Sequence, residues 1–314
     1  MEMKPHFDWN SQLHRLRQRG LEIDDDSTAL AVLKHHNYYR LRGYFHVFLS
    51  DETSNSGVEL FKPETRMSDL IALMDFDFKL RSLLFEVITQ FELSLRTAFA
   101  YHGGNISPEI HLTGVGLTDD FKSLNFKGKQ DHNSWLEAYK QRISRMRSED
   151  FVNWHFEQYS GRLPIWVAVE TMDFGALSKL LRSANQKLAH SIANEYGCTP
   201  ALLKSWVASM NDLRNSVAHI SRLWNAVYAI SPKTNREQIS DSLRHLNTQS
   251  DYERHKIYSR LAILAWLENG DRFNVRFKER LLVLLAGFPT HPSLSVNQMG
   301  FPDGWETLEL WKSN

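Results

Sequence analysis

The stretch 75-DFDFKLRSLLFEVITQFELSLRTAFAY-101 decides the fold. Its apolar residues Leu80, Leu84, Val87, Phe91, Leu95 and Ala98 recur every three or four positions. That period draws one apolar stripe along an α-helix. Gly103-Gly104 follows, and glycine is a common helix stop. Outward from there, a second helical segment spans 199–228. Thr199 suits its N-cap and Pro200 its first turn, while Leu213, Val217, Ile220, Trp224 and Val227 supply a seam. Further helical patterns cover 10–19, 27–36, 133–146, 165–184, 187–195, 251–267 and 272–285. Strand-like alternation is scarce. Breaks are predicted at 50–57, where DETSNSG reads as a polar turn or loop, at 103–129 and at 231–236. The tail, 289–311, is rich in Pro and Gly but carries Phe301, Trp305 and Trp311, which suit docking onto the body. The sequence therefore predicts an all-α fold in a single domain, 1–314. Its parts are an N-terminal helical module (1–64), a helical core (65–230), and C-terminal helices with a docking tail (231–314).

Composition narrows the function. Among 314 residues, 42% are hydrophobic and 24% charged, as in ordinary globular chains. Lys+Arg and Asp+Glu both number 37, so a basic coat is excluded and any nucleic-acid surface must be local. The one cysteine, Cys198, permits neither an intrachain disulfide nor a multi-cysteine zinc site. The first residues lack a signal-peptide layout, and no apolar run reaches the roughly 18–20 residues of a membrane span. We expect a soluble cytoplasmic protein without a membrane partner. The strings G-x-S-x-G, H-E-x-x-H and G-x-x-x-x-G-K-[ST] are absent. Gly114-Val115-Gly116 lacks the third glycine and flanking strand of a nucleotide loop. His35 and His36 are adjacent and diverge on a helix. Neither a metal nor a cofactor is expected.

One segment has a different character: Leu213-Arg214-Asn215-Ser216-Val217-Ala218-His219-Ile220-Ser221-Arg222-Leu223-Trp224-Asn225. At about 100° per residue, Asn215, His219 and Arg222 share a face roughly opposite the apolar seam. Arg214 stands about 140° from His219, so only its long stem could bring the guanidinium alongside the ring. An imidazole exchanges protons near neutral pH, and a guanidinium clamps a phosphate and stabilises added charge on it. Phosphoester cleavage needs both groups. A solvated polar helix face would show the same spacing. Two local basic stretches suit RNA. Residues 34–46 combine Arg40 and Arg42 with Tyr38, Tyr39 and Tyr44, cations for phosphates and rings for bases. Residues 122–147 include Lys127 and Lys129. Each stretch also fits a packed or solvated helix.

The segment around Arg214 and His219 resembles the R-x4-H motif of the HEPN superfamily of helical ribonucleases. The wider chain resembles the AbiD/AbiF-type abortive-infection family, a bacterial phage-defence group within it. Asn37-Tyr38-Tyr39-Arg40-Leu41-Arg42-Gly43-Tyr44 is similar to that family's NYYRL-x-GY signature. Asp75-Phe76-Asp77, Leu80-Arg81, Phe91-Glu92 and Leu95-Arg96-Thr97 are similar to its first long helix. Leu163-Pro164-Ile165-Trp166, Glu170 and Phe174-Gly175-Ala176-Leu177-Ser178 resemble its central block. Arg214-Asn215, Ala218-His219 and Arg222-Leu223-Trp224-Asn225 resemble its RN-x2-AHH-x-RLWN block, with Ile220 where a second histidine is common. Met299-Gly300-Phe301-Pro302, Trp305 and Trp311 resemble its ending.

The resemblance implies an HEPN-like helical bundle built from 75–102, 165–184 and 199–228, with N- and C-terminal helical extensions. It implies a metal-independent endoribonuclease leaving 2′,3′-cyclic phosphate and 5′-OH ends. His219, Arg214 and Asn215 would be catalytic, in a composite site between two copies of the chain. Glu92 and Arg96 would orient the catalytic helix, although they also fit an ordinary i, i+4 pair. Arg222 would support the site. Trp166, Trp224 and Phe174 read as core. RNA is the implied substrate, and an antitoxin, another regulator or a structured non-coding RNA a possible partner. The other class of function is a non-catalytic RNA-binding or regulatory protein on the same scaffold.

Overall fold

In the computed structural model the described residues are 5–53, 57–123, 131–234, 239–268 and 273–312. The chain opens with α1 (Trp9–Gln18), α2 (Asp26–His35) and α3 (Tyr38–Phe45). Each starts on a side-chain cap that accepts an orphan N–H: Asp8 from Ser11, Asp25 from Thr28, and Asn37 from Tyr39. Strands β1 (Leu49–Thr53) and β2 (Glu59–Phe61) then pair antiparallel, with Leu49 opposite Phe61. The predicted break at 50–57 is strand over its first residues, which belong to β1, while 54–56 lie outside the described residues. The fold is otherwise all-α, as the periodicity predicts.

Helix α4 (Met67–Gly104) is 38 residues long, about 57 Å at 1.5 Å per residue. It stops at the predicted glycine pair. It begins earlier than the stripe suggested because the Arg66 N–H donates to the Asp69 carboxylate at 2.8 Å and Leu70 and Leu73 extend the buried face. Short helices α5 (Ile110–Thr113) and α6 (Asp119–Lys122) lead to α7 (Asp131–Arg145) and α8 (Asp150–Tyr159). The sequence reading did not foresee α8. The predicted helix at 165–184 is two, α9 (Ile165–Thr171) and α10 (Phe174–Arg182), because the Asp173 side chain caps the second by accepting the Ala176 N–H at 2.7 Å. Next come α11 (Gln186–Glu195) and α12 (Pro200–Ala218). The predicted 251–267 helix is likewise split, into α13 (Asp251–Arg254) and α14 (Tyr258–Glu268), and α15 (Phe277–Ala286) follows.

α4 is the frame: α3, α9, α10, α11, α12 and α15 all pack against it, and α10 lies along α12. The tail docks as predicted. Phe301, Trp305 and Trp311 are buried beside Tyr258, whose hydroxyl accepts the Trp311 indole N–H at 3.1 Å. Among the described residues no helix is long and apolar enough to cross a membrane.

One buried titratable group has a clear pH consequence. His111 is fully buried, edge-on to Tyr139 with ring centroids 5.2 Å apart. Among the described residues, neither of its ring nitrogens has a hydrogen-bond partner. Burial, with a smaller push from His132, lowers its pKa to about 4. Unfolding returns the ring to its ordinary value, so the unfolded chain binds the extra proton between pH 6.5 and 4. Stability is therefore full above pH 6.5 and falls as the pH drops toward 4, by about 3 kcal/mol from this group. Urea unfolding at pH 7 and pH 4.5 should show a smaller loss for His111→Phe than for the parent chain. Equal losses would remove His111 as the cause.

Candidate functional site

The site is built at the C-terminal end of α12. The helix carries Arg214 and Asn215 and stops at Ala218, with His219 as its C-cap. Ile220 is left-handed, with φ of 55°. Its N–H donates to the Val217 carbonyl at 3.2 Å, and the Ser221 N–H donates to the Ser216 carbonyl at 2.9 Å. This is a Schellman cap, where glycine is the usual residue. A β-branched side chain there costs roughly 1–2 kcal/mol. The expected continuous helix through residue 228 is therefore corrected, and with it the shared face of Asn215, His219 and Arg222. Beyond the cap the chain serves the core. The Arg222 guanidinium donates to the Gly43 carbonyl on α3, and Leu223 and Trp224 are buried. The Asn225 side-chain oxygen accepts from Lys256 at 2.5 Å.

Two residues of α4 hold this reversal. Arg81 donates to the carbonyls of Ser216 (3.2 Å) and Val217 (3.3 Å) and to that of Ser221. It also pairs with Asp77 at 3.0 Å. The Asp77 carboxylate accepts the N–H groups of Leu223 (2.9 Å) and Trp224 (2.5 Å) and the Tyr44 hydroxyl (2.9 Å). Burial, then the Asp77 charge, pushes the Tyr44 hydroxyl up from its ordinary pKa, so it stays a donor. The sequence reading assigned Asp77 and Arg81 no role. The available signal was an acid and an arginine four residues apart among apolar neighbours.

A second acid–arginine pair lies fifteen residues further along α4. Glu92 is nearly buried and holds Arg96 through one carboxylate oxygen. Its other oxygen stands 3.8 Å from Nε of Arg214. Arg96 also donates to the carbonyls of Met172 (2.7 Å) and Val169, at the α9–α10 break. Arg214 is 39% exposed at its side chain and lines a cleft of about 420 Å³ with Glu170, Phe85 and Val217. Asp173 lies near enough for its charge to feel Arg214. Burial raises that carboxyl, but the Ala176 N–H and Arg142, with Arg214, hold it below its ordinary pKa. Glu92 thus reaches α12 through Arg214 beyond its i, i+4 pair, whereas the bonds of Arg96 go to Glu92 and to the α9–α10 break. Asn215 and His219 are exposed. Among the described residues, the His219 ring forms no hydrogen bond.

The candidate RNA residues scatter. Tyr44 is buried on Asp77 and offers no ring to a base. Tyr38 packs edge-on against Phe45, and its hydroxyl accepts from Arg19 at 3.2 Å. Arg40 donates to the Ile220 carbonyl, and Arg42 pairs with Glu59 at 3.3 Å. Tyr39 is 80% exposed. Lys127 and Lys129 lie outside the described residues. Phe174 and Trp224 are core, as expected. Trp166 is half exposed instead, lying over Gly104, where an added Cβ would stand 3.2 Å from its ring.

Fold and site together define a helical protein, with one small strand pair, whose arginine-lined cleft lies beside an exposed histidine at a tightly capped helix end. A family model described as Abi-like protein matches residues 31–225, more than half of the chain. The chain belongs to this abortive-infection family. No curated protein and no solved structure matches it.

Two substitutions check the site's energetics. Glu92→Ala leaves two guanidiniums facing each other without an anion and should lower stability by about 2–4 kcal/mol. Ile220→Gly removes the left-handed strain at an exposed position and should raise it by about 1 kcal/mol. Chemical unfolding reads both, and a neutral Glu92→Ala would show that the carboxylate is not structural.

Proposed function

We propose that this chain is a phage-defence protein that cleaves RNA without a metal ion, through Arg214 and His219 of two copies. One observation carries the proposal. Arg214 is held by a nearly buried carboxylate at the mouth of a cleft, five residues before an exposed histidine on a fixed helix end. In such a reaction the ribose 2′-OH loses its proton to an imidazole and its oxygen attacks the phosphorus. The 5′-oxygen leaves and takes up a proton, so the products are a 2′,3′-cyclic phosphate and a 5′-OH. His219 supplies the proton exchange. Arg214 neutralises the charge gained by the phosphoryl oxygens. Asn215, exposed beside Arg214, would orient the pair by hydrogen bonding once the two copies meet.

A second copy is needed because Arg214 is drawn toward Glu92 and, among the described residues, the His219 ring has no hydrogen-bond partner. Phe78, Phe85 and Leu93 are exposed on the outer face of α4, beside or near the cleft, and Ile220 is exposed beside His219. These apolar surfaces suit a self-complementary interface. The same lone histidine favours a second reading, in which the chain binds RNA or regulates another factor without cutting. RNA that co-purifies intact with the parent chain, and no cleavage by it, would decide for that reading.

Arg214→Ala and His219→Ala should each reduce RNA cleavage by about 10²–10⁴-fold. His219→Ala should change stability by less than about 1 kcal/mol, since the ring is exposed and unbonded. A folded double variant that cleaves at the parent rate refutes the assignment. Cleavage should persist in EDTA and leave cyclic phosphate ends; loss in EDTA with restoration by Mg²⁺ would mean a different mechanism.

A further inference from the structure

Helix α3 and the turn carrying His219 exchange two hydrogen bonds of opposite direction. Arg40 on α3 donates to the carbonyl of Ile220, and Arg222 beyond the turn donates back to the carbonyl of Gly43 on α3. Between these bonds the backbone holds a left-handed isoleucine. The peptide before Ile220 is fixed by the Schellman bond to Val217. The peptide after it is fixed by Arg40 and by the Ser221 bond. The His219 ring itself has no hydrogen-bond partner among the described residues, so the backbone on either side sets where it points. Arg81 grips carbonyls at 216, 217 and 221 but not at 220.

We infer that Arg40 is a positioning residue for His219. By holding the Ile220 carbonyl, it keeps the strained turn closed and the imidazole at the cleft end of α12. This rests on the reading of His219 as the acid–base group. It gives the arginine a role distinct from RNA capture, because one of its guanidinium nitrogens donates to the backbone of the turn. Misplacing a reacting group by an ångström lowers the rate of the chemical step more than it weakens substrate binding. The expected signature is a fall in kcat with KM unmoved.

The kinetic test uses the whole 314-residue chain in four variant forms: Arg40→Ala, Arg40→Lys, Ile220→Gly, and the Arg40→Ala/Ile220→Gly double variant. Arg40→Ala should lower kcat about tenfold or more while RNA affinity and its salt slope stay unchanged. Arg40→Lys should recover part of the loss, because an ammonium can also reach the carbonyl. Glycine adopts the left-handed turn without help. The Arg40→Ala loss should therefore shrink in the Ile220→Gly background.

A readout independent of activity is the His219 ring proton signal, identified as the one missing from His219→Gln. Arg40→Ala should shift or broaden it, and Arg42→Ala should leave it in place. If Arg40→Ala keeps kcat and the His219 signal but weakens RNA binding, with a salt slope lower by about 0.7, Arg40 is a phosphate contact and the inference is overturned. If His219→Ala still cleaves, the catalytic reading fails and takes the effect on kcat with it. The ring signal then decides alone whether Arg40 sets the turn. An unchanged signal overturns the inference in that case too.

Discussion

The carboxylate of Asp77 is the constraint on which the rest of the site depends. A buried carboxylate is costly unless its lone pairs are filled, and one missing partner leaves much of that cost standing. Here the partners come from three places in the chain: the Tyr44 hydroxyl, the Arg81 guanidinium, and the amides of Leu223 and Trp224. Satisfying the charge therefore requires α3, α4 and the strand of chain beyond α12 to meet at one point. The direction in which α12 ends, and so the place of His219, follows from that meeting.

α4 uses the same device twice. Asp77 and Arg81, then Glu92 and Arg96, stand four residues apart, and in each pair the arginine turns outward to backbone carbonyls of a neighbouring element. Arg81 takes carbonyls at the end of α12, and Arg96 takes those exposed where α9 gives way to α10. Helix ends carry unsatisfied carbonyls that water or caps must otherwise serve. Placing an arginine against them lets two helix ends lie close to the frame instead of at the surface. The acid of the second pair has an oxygen left over for Arg214, which ties the cleft to the frame.

The long helix, the Thr199-Pro200 start and the docking tail were legible because they depend on local periodicity, caps and aromatic content. The all-α fold followed from the same cues. The end of α12 was not legible. Ile220 continues an apolar seam in sequence, and nothing local marks it as left-handed; bonds to the carbonyls of Ser216 and Val217, and one from Arg40, impose that conformation. The α9–α10 break was signalled only by Asp173, which as a cap is indistinguishable from a surface acid until its N–H partner is known. Arg214 and His219 were readable as chemistry and their angular separation followed from the helical projection, whereas the shared face of Asn215, His219 and Arg222 failed because that projection presumes a helix that continues past Ala218. Tyr44 illustrates the limit for surface patches: an aromatic among cations reads as a stacking ring, yet a carboxylate 33 positions away in sequence claims its hydroxyl.

The reach of the Asp77 bonds bears on when the protein becomes competent. They close loops of 146 and 147 residues, and contacts at such separation form late and only after the intervening chain has been made. α4 and α3 can pack while the ribosome is still building α9 to α11. The turn that fixes His219 lacks its two bonds to Asp77 until residue 224 has been made. The order of synthesis thus separates composition from geometry: a chain that ends between residues 219 and 222 contains the arginine and the histidine but neither of the amides that fill the Asp77 carboxylate.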